Sequence, residues 1–152
     1  MLCYHETRAN PGVEHVSDRT YRRSIQIDGD PGAIEVTTGG PDHLLLTAHL
    51  PHWGGLIHVV QQVRRLFSLD ADTAAANAAL ASDPLVGTSV RERPGLRVPG
   101  VWDPFEIGVR AIIGQQVSVA GAGTSAGRLV GSCGARGPGR AQIGTTPPLP
   151  PP

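Results

Sequence analysis

Three stretches between residues 21 and 50 alternate polar and apolar side chains with the period of two that is typical of β-strands. They cover residues 21–28, 33–38 and 43–50, and the first two place Ile25 with Ile27 and Ile34 with Val36 on common faces. The segments 29–32 and 39–42 between them are rich in Gly, Pro and Asp, which favour turns. Strands joined by such short turns predict an antiparallel meander.

The hydrophobic period changes after residue 51 to the spacing of three and four that indicates an α-helix. The pattern predicts one amphipathic helix over 51–69, with Val60 and Val63 buried against the sheet. Shorter helices are predicted over 72–81, with Asp72 as N-cap, and over 85–92. The apolar stripe of the long helix contains Leu56, Val59, Val60, Val63, Leu66 and Phe67.

A second helical segment is predicted to begin at Asp103. Asp103 suits the N-cap, Pro104 suits the first turn, and Glu106 is spaced for a capping box. Gly114 ends or kinks this helix, and Ser118 could cap a further helix through residue 130, which three glycines weaken. The first helix carries an apolar stripe of Phe105, Val109, Ile112 and Ile113.

The end of the chain has a different composition. Residues 131–152 contain five Gly and six Pro in 22 residues, with almost no apolar side chains. Such a segment buries too little surface to offset the entropy of ordering it, so we expect it to be disordered. The chain therefore divides into an α+β domain over 1–99, an incomplete helical segment over 100–130 and a tail over 131–152.

Charge and cysteine content give no direct indication of a partner. The 152 residues carry 13 basic and 13 acidic side chains, so the net charge gives no general argument for nucleic acid or an anionic membrane. Cys3 and Cys133 lie at opposite ends without metal-ligand spacing. The sequence has neither a signal-peptide segment nor an apolar run of about 20 residues, so we expect a soluble cytoplasmic protein.

The candidate chemistry within single motifs is sparse. His43 and His49 share strand parity, but no carboxylate or thiolate accompanies them at ligand spacing, so we expect ordinary histidines and neither a metal site nor a cofactor. Nucleotide-binding glycine motifs and the GxSxG nucleophile motif are absent from the sequence. The run Val98-Pro99-Gly100-Val101 is similar to a helix-hairpin-helix turn, but Trp102 replaces the second glycine, and we interpret it as a linker turn.

A long gapless segment carries a family resemblance. Residues 93–120, RPGLRVPGVWDPFEIGVRAIIGQQVSVA, resemble the domain junction and first helix of DNA-3-methyladenine glycosylase II, the AlkA-type enzymes of the helix-hairpin-helix glycosylase superfamily. Three upstream motifs occur in that family's order and spacing: Gly12-Val13-Glu14-x-Val16, Tyr21-x-Arg23-Ser24, and the run VRRLFSL at 63–69. The resemblance extends over roughly residues 8–130 and then stops.

The resemblance implies a fold and a set of DNA contacts. It implies an α+β first domain similar to half of a TATA-binding-protein saddle, followed by the opening of the glycosylase domain. Such enzymes flip a damaged base into an aromatic pocket and insert a side chain into the minor groove. The inserting loop corresponds to Gly114, Gln115, Gln116 and Ser118, with the wedge at Gln116, where some relatives have Leu. Tyr4 corresponds to a pocket aromatic.

Each of these positions also has an ordinary structural explanation. Gln115 and Gln116 could form a polar helix end, and Tyr4 could lie on a frayed N-terminal helix. The catalytic Asp and the DNA-gripping hairpin of the family lie downstream of the point where the resemblance stops. We assign no catalytic residue, and we interpret Asp103 as a helix cap.

The expected function is base-excision repair of alkylated DNA, by a truncated fragment that is inactive alone. Its partner would be double-stranded DNA with alkylated bases, bound weakly, with Arg110 and Arg128 as the nearby phosphate contacts. One alternative is a non-enzymatic DNA-binding or regulatory remnant of an adaptive-response regulator–glycosylase fusion, although no helix-turn-helix or zinc-cysteine cluster supports it. Another is a small α+β binding module with an accidental match.

Overall fold

The computed structural model describes residues 2–133, and these form an α+β fold. These residues contain six α-helices, and a 3₁₀ turn at Trp53–Gly55 directly precedes the second of them. The elements in chain order are α1 (Leu2–Arg8), β1 (Glu14–Ser17), β2 (Thr20–Ile27), β3 (Asp30–Thr38), β4 (Leu44–His49), α2 (Leu56–Leu66), α3 (Thr73–Leu80), α4 (Gly87–Glu92), α5 (Pro104–Ile113) and α6 (Val119–Cys133).

The four strands form one antiparallel sheet in the order β1-β2-β3-β4. This confirms the predicted meander and adds the short edge strand β1. The predicted turn over 29–32 is wrong, because the β2–β3 turn consists of Asp28 and Gly29 and the strand β3 resumes at Asp30. Both turn residues have positive φ angles of 52° and 94°, as a two-residue type I′ hairpin requires.

The core lies between one face of the sheet and α2. Tyr21, Ile34 and Val36 are fully buried on this face, as the alternation predicts. Val63 is 4% exposed, which confirms the prediction that it is buried against the sheet. Val60 is only half-buried, because the centre of the buried helix face runs through Val59, Val63 and Leu66 instead.

The segment around Gly100 packs tightly against the end of α2, so its interpretation as a linker turn is incomplete. The backbone N–H of Gly100 donates to the carbonyl of Leu66 at 2.9 Å, one of the carbonyls that the end of α2 leaves free. A Cβ at Gly100 would overlap the backbone carbonyl of Arg65. Arg97 donates to the Ser68 and Ala71 carbonyls in the same region.

Helices α5 and α6 continue the chain beyond this junction. The Asp103 carboxylate accepts from the backbone N–H groups of Phe105 and Glu106, which confirms the predicted cap. The capping box is wrong, because the Glu106 carboxylate instead pairs with Arg23 and Arg110.

The last helix packs back onto the N-terminal part of the chain. Ala126 of α6 is buried, and a Cβ at Gly127 would lie 3.1 Å from Pro11. The helix ends at Cys133, three residues inside the predicted disordered segment, and residues 134–152 of that segment lie outside the described residues. No helix within residues 2–133 has the length and hydrophobicity needed to cross a bilayer.

The apolar stripe of α5 remains largely open. Phe105 is 80% exposed and Ile112 is 73% exposed. Val109 and Ile113 line a shallow groove against Leu129 of α6, with a volume of about 470 Å³. Within the stripe, Phe105 and Ile112 are thus exposed, whereas Val109 and Ile113 are half-buried.

Candidate functional site

Tyr4 lies on α1 at the mouth of a small cleft between α1 and α5. The ring is 44% exposed, and the guanidinium of Arg8 stacks over it at 4.3 Å from the ring centroid. The cleft has a volume of about 50 Å³, and Trp102 and Ile107 also line it. The partly open ring and the stacked Arg8 give the cleft an apolar wall with a cationic edge.

A buried carboxylate forms the floor of this cleft. The Glu14 side chain is 4% exposed and faces Arg23 directly across the β1–β2 pair. One oxygen accepts from the Tyr21 hydroxyl at 2.6 Å and from Arg23 at 2.9 Å. The other accepts from the Asn10 backbone N–H at 3.0 Å and from Arg110 at 3.1 Å. All the hydrogen-bonding capacity of the carboxylate is therefore used, as a buried charge requires.

Arg23 and Arg110 extend this network to α5. Both guanidinium groups also pair with Glu106, and Arg110 donates to the backbone carbonyl of Arg8 at the end of α1. The Arg110 guanidinium thus already has internal partners, and its role as a phosphate contact stays a prediction. Arg128 is exposed on α6 and remains a candidate phosphate contact.

The network holds its acidic and basic groups in defined charge states. Burial disfavours the Glu14 anion, but Arg23, the Tyr21 hydroxyl, the Asn10 amide and Arg110 outweigh it and lower the pKa of Glu14. Burial, reinforced by the neighbouring anion of Glu14, raises the pKa of Tyr21. The pKa of Arg23 is raised because its anionic neighbours outweigh burial.

His5 is a buried histidine that the sequence patterns did not single out. Its ring packs against Tyr21 and Phe67 with centroids 5.1 Å and 5.2 Å away. Among the residues that the structure describes, its Nε2 finds no hydrogen-bond partner. Burial, with repulsion from Arg110 and Arg23, outweighs the attraction of Glu14 and lowers the pKa of His5.

The loop between α5 and α6 is the second predicted site. Gly114 caps α5 through its backbone N–H to the Arg110 carbonyl at 2.8 Å. Gln116 has a φ of 59°, the left-handed conformation that non-glycine residues seldom adopt. The Ser118 hydroxyl oxygen accepts from the Gly121 N–H at 3.1 Å, so Ser118 caps α6 as predicted. Gln115 and Gln116 are both exposed.

The structure keeps the two predicted sites apart. Residues 114–118 do not line the cleft that contains Tyr4. What connects the two is Arg110, which lies on the helix that ends at the loop and bonds the end of the helix that carries Tyr4. Trp102, 5.2 Å from the Arg23 guanidinium, is a further cleft residue that sequence analysis noticed only as a departure from a hairpin motif.

His43 and His49 each lie beside a single carboxylate. His43 contacts Asp42 and His49 lies 3.8 Å from Glu35, both near the protein surface. Within the part of the chain that the structure describes, no three His, Cys, Asp or Glu side chains converge closely enough to hold a metal ion.

Two relatives match most of this chain. A "DNA-3-methyladenine glycosylase 2" of Escherichia coli is 39% identical over 140 residues, covering 90% of this chain and 46% of the relative. A "Probable bifunctional transcriptional activator/DNA repair enzyme AlkA" of Mycobacterium tuberculosis is 40% identical over 126 residues, covering 83% of this chain and 25% of the relative. The chain thus spans less than half the length of either.

A solved structure has the same fold. The 3-methyladenine DNA-glycosylase of Archaeoglobus fulgidus superposes with a TM-score of 0.73 at 18% identity, over 86% of this chain and 45% of its own. This likeness bears on the fold alone. The family model of the AlkA N-terminal domain matches residues 1–103, which include α1, the whole sheet and the Glu14–Arg23 pair. The resemblance seen in the sequence is thereby confirmed, and the chain belongs to the AlkA N-terminal domain family.

Proposed function

We propose that this chain is the N-terminal part of a protein that repairs alkylated bases in double-stranded DNA by base excision. In this proposal the exposed loop of Gly114, Gln115, Gln116 and Ser118 enters the minor groove, and Tyr4 contributes to the base-binding pocket. The observation that carries the proposal is Gln116, an exposed side chain on a left-handed backbone between two capped helices. A short rigid turn of this kind can present one side chain to a groove while its flanking helices remain ordered.

The 152 residues are proposed to bind damaged DNA weakly and to release no base on their own. Glycosidic bond cleavage in such enzymes needs a carboxylate that is free to stabilise the sugar cation. Glu14 and Glu106 are occupied by arginines, and Asp103 caps α5. None of these three cleft carboxylates is free for that role.

Two measurements on the full 152-residue chain test these statements. Fluorescence anisotropy compares a duplex that contains a stable abasic-site analogue with the intact duplex, and we expect tighter binding of the former. Gln116→Ala should weaken that preference by roughly tenfold, whereas Gln61→Ala on the exposed side of α2 should not. Equal binding of both duplexes by the wild-type chain would contradict the wedge.

Release of 3-methyladenine from alkylated duplex DNA is measured beside a reaction without protein. We expect equal release in both. Release above the control that is lost in Asp103→Asn but retained in Asp83→Asn would contradict the proposed inactivity and the assignment of Asp103 as a cap only.

A second candidate function follows from the mycobacterial relative. That protein is described as both a transcriptional activator and a repair enzyme, and this chain matches only 25% of it. The chain would then be the remnant of a regulator–glycosylase fusion. Equal binding of damaged and intact duplex DNA, with an affinity that Gln116→Ala does not change, would favour this candidate.

A further inference from the structure

Arg110 lies where its side chain can link its own helix, α5, to two other elements of the fold. It lies on α5, one turn before the loop that begins at Gly114. Its guanidinium donates to the Glu14 carboxylate of β1, to Glu106 of its own helix and to the backbone carbonyl of Arg8. One side chain therefore bonds three elements: α1, β1 and α5.

The contact with Arg8 lies at the carboxyl end of α1. Carbonyls at a helix C-terminus lack partners within the helix and carry its partial negative charge, so a guanidinium there is favourable. The Arg8 side chain meanwhile stacks on Tyr4 of the same helix. The position of Tyr4 is thus linked to α5 through the end of its own helix.

We propose that Arg110 is a positioning residue that sets the orientation of the Tyr4 helix α1 relative to the loop 114–118. One side of the guanidinium bonds Glu14, which Tyr21 and Asn10 hold in place, and the other side bonds the carbonyl of Arg8. We call this two-sided arrangement the Arg110 fork. The planar guanidinium suits this task because its donors point in several fixed directions, which an ammonium group does not provide. The consequence for DNA recognition rests on the proposed function, but the arrangement itself does not.

A second attachment competes with this explanation. Helix α6 also packs on the N-terminal segment, where Gly127 lies against Pro11. If that contact alone fixed the helices, loss of the Arg110 fork would leave the loop in place. The experiment must therefore measure the arrangement of α1 and the loop directly.

The test uses spin labels on the full 152-residue chain. Cys3 on α1 and Cys133 are its two cysteines, and both are exposed. Cys133→Ser with Gln115→Cys leaves one label on α1 and one on the loop. Double electron–electron resonance should give one narrow distance distribution in this background. Arg110→Gln should broaden it, whereas the matched control Arg91→Gln, which also removes an arginine that bonds a backbone carbonyl, should not.

Hydrogen exchange separates positioning from general stability. In Arg110→Gln we expect exchange in α1, α5 and the loop to rise by roughly tenfold while β2 and β3 stay protected. A narrow, unchanged distance distribution would show that the α6 contact suffices and would overturn the proposal. Neither measurement involves DNA, so its outcome is independent of the proposed function.

Arg110→Lys covers the case in which Arg110→Gln does not fold. The lysine keeps the charge beside Glu14 but lacks the fork, so we expect intermediate broadening with the sheet still protected. A narrow distribution in Arg110→Lys, beside an unfolded Arg110→Gln, would reduce Arg110 to a general stabilising role and overturn the proposal.

Discussion

Arg110 and Glu14 form an ion pair between residues 96 positions apart in the chain, with Nη1 of the guanidinium 3.1 Å from a carboxylate oxygen. The carboxylate belongs to the edge strand β1 of the sheet and the guanidinium to α5, the first helix after the junction at Gly100. Since the other oxygen of Glu14 is held by Tyr21 and Arg23, the pair joins the helical segment to a rigid part of the core. Its loss should affect both the stability of the fold and the arrangement of its parts.

Glu14→Gln is expected to lower the free energy of unfolding by about 3 kcal/mol, because it leaves two arginines with insufficient negative charge in a buried site. Denaturant unfolding followed by circular dichroism measures this. Glu35→Gln, which removes a partly exposed partner of Arg22, should change stability by at most about 1 kcal/mol. Equal losses in the two variants would contradict the central role of Glu14.

The pH dependence of the same variants tests the charge state of Glu14. Its folded pKa lies below the ordinary value of 4.5, so its stabilising effect is complete above that pH and is lost as pH falls toward the folded pKa. The stability difference between wild type and Glu14→Gln should therefore shrink as the pH falls below 4.5. A difference that stays constant down to the acid transition would contradict the lowered pKa.

His5→Phe is expected to make stability less dependent on pH between about pH 7 and about pH 5. The pKa of His5 is lowered from 6.5 by burial, so the unfolded chain takes up a proton first and the fold loses stability as pH falls through that value. Phenylalanine also removes Nε2, a buried atom with no partner within residues 2–133, while keeping the ring contacts with Tyr21 and Phe67. Thermal unfolding across this range, with His58→Gln on the exposed side of α2 as control, checks it. An unaltered pH slope in His5→Phe would be inconsistent with a buried neutral imidazole.

Gly100→Ala is expected to destabilise the fold by about 1–3 kcal/mol, because the added Cβ overlaps the Arg65 carbonyl and displaces the bond to Leu66. Gly95→Ala is a suitable control, since nothing lies within 4 Å of a Cβ at that position. Urea midpoints of the two variants provide the comparison. Similar midpoints in the two variants would mean that the segment 97–101 does not pack closely against the end of α2.

Val63→Asp should unfold the domain, because it places an unpaired charge at a core position that is only 4% exposed. Gln61→Asp, two residues away on the exposed side of the same helix, should be close to neutral. Near-ultraviolet circular dichroism, to which the packed aromatic side chains contribute, distinguishes the two variants. Unfolding by both would contradict the assignment of the buried face.

The strands and long helix could be predicted because their burial repeats at a fixed period. Ile25, Ile34 and Val63 lie where that period places them. Strand β1 escaped prediction because it is four residues long and carries Glu14 and His15 in place of apolar side chains. The turn before β3 was misplaced because Pro31 and Gly32 carry turn composition, whereas Asp28 and Gly29 already complete the hairpin.

The site was less accessible to sequence reasoning than the fold. The cap at Asp103 follows from local spacing and was predicted. The network of Glu14, Arg23, Glu106 and Arg110 depends on contacts between distant segments, which no periodicity encodes. Its residues occurred within the motifs that carried the family resemblance, but nothing in the motifs indicated that they touch. The roles of Tyr4 and the 114–118 loop in DNA binding stay predictions.

The order β1-β2-β3-β4 has a consequence for how the polypeptide matures on the ribosome. Each strand pairs with the next one to be synthesised, and such local pairing allows rapid folding before the rest of the chain is made. The Glu14–Arg23 cross-strand pair can therefore close within the nascent sheet, while the second arginine at position 110 has yet to be translated. The emerging domain would pass through an interval in which its sheet is formed and the buried carboxylate is held by Asn10, Tyr21 and Arg23 but has only one of its two arginines.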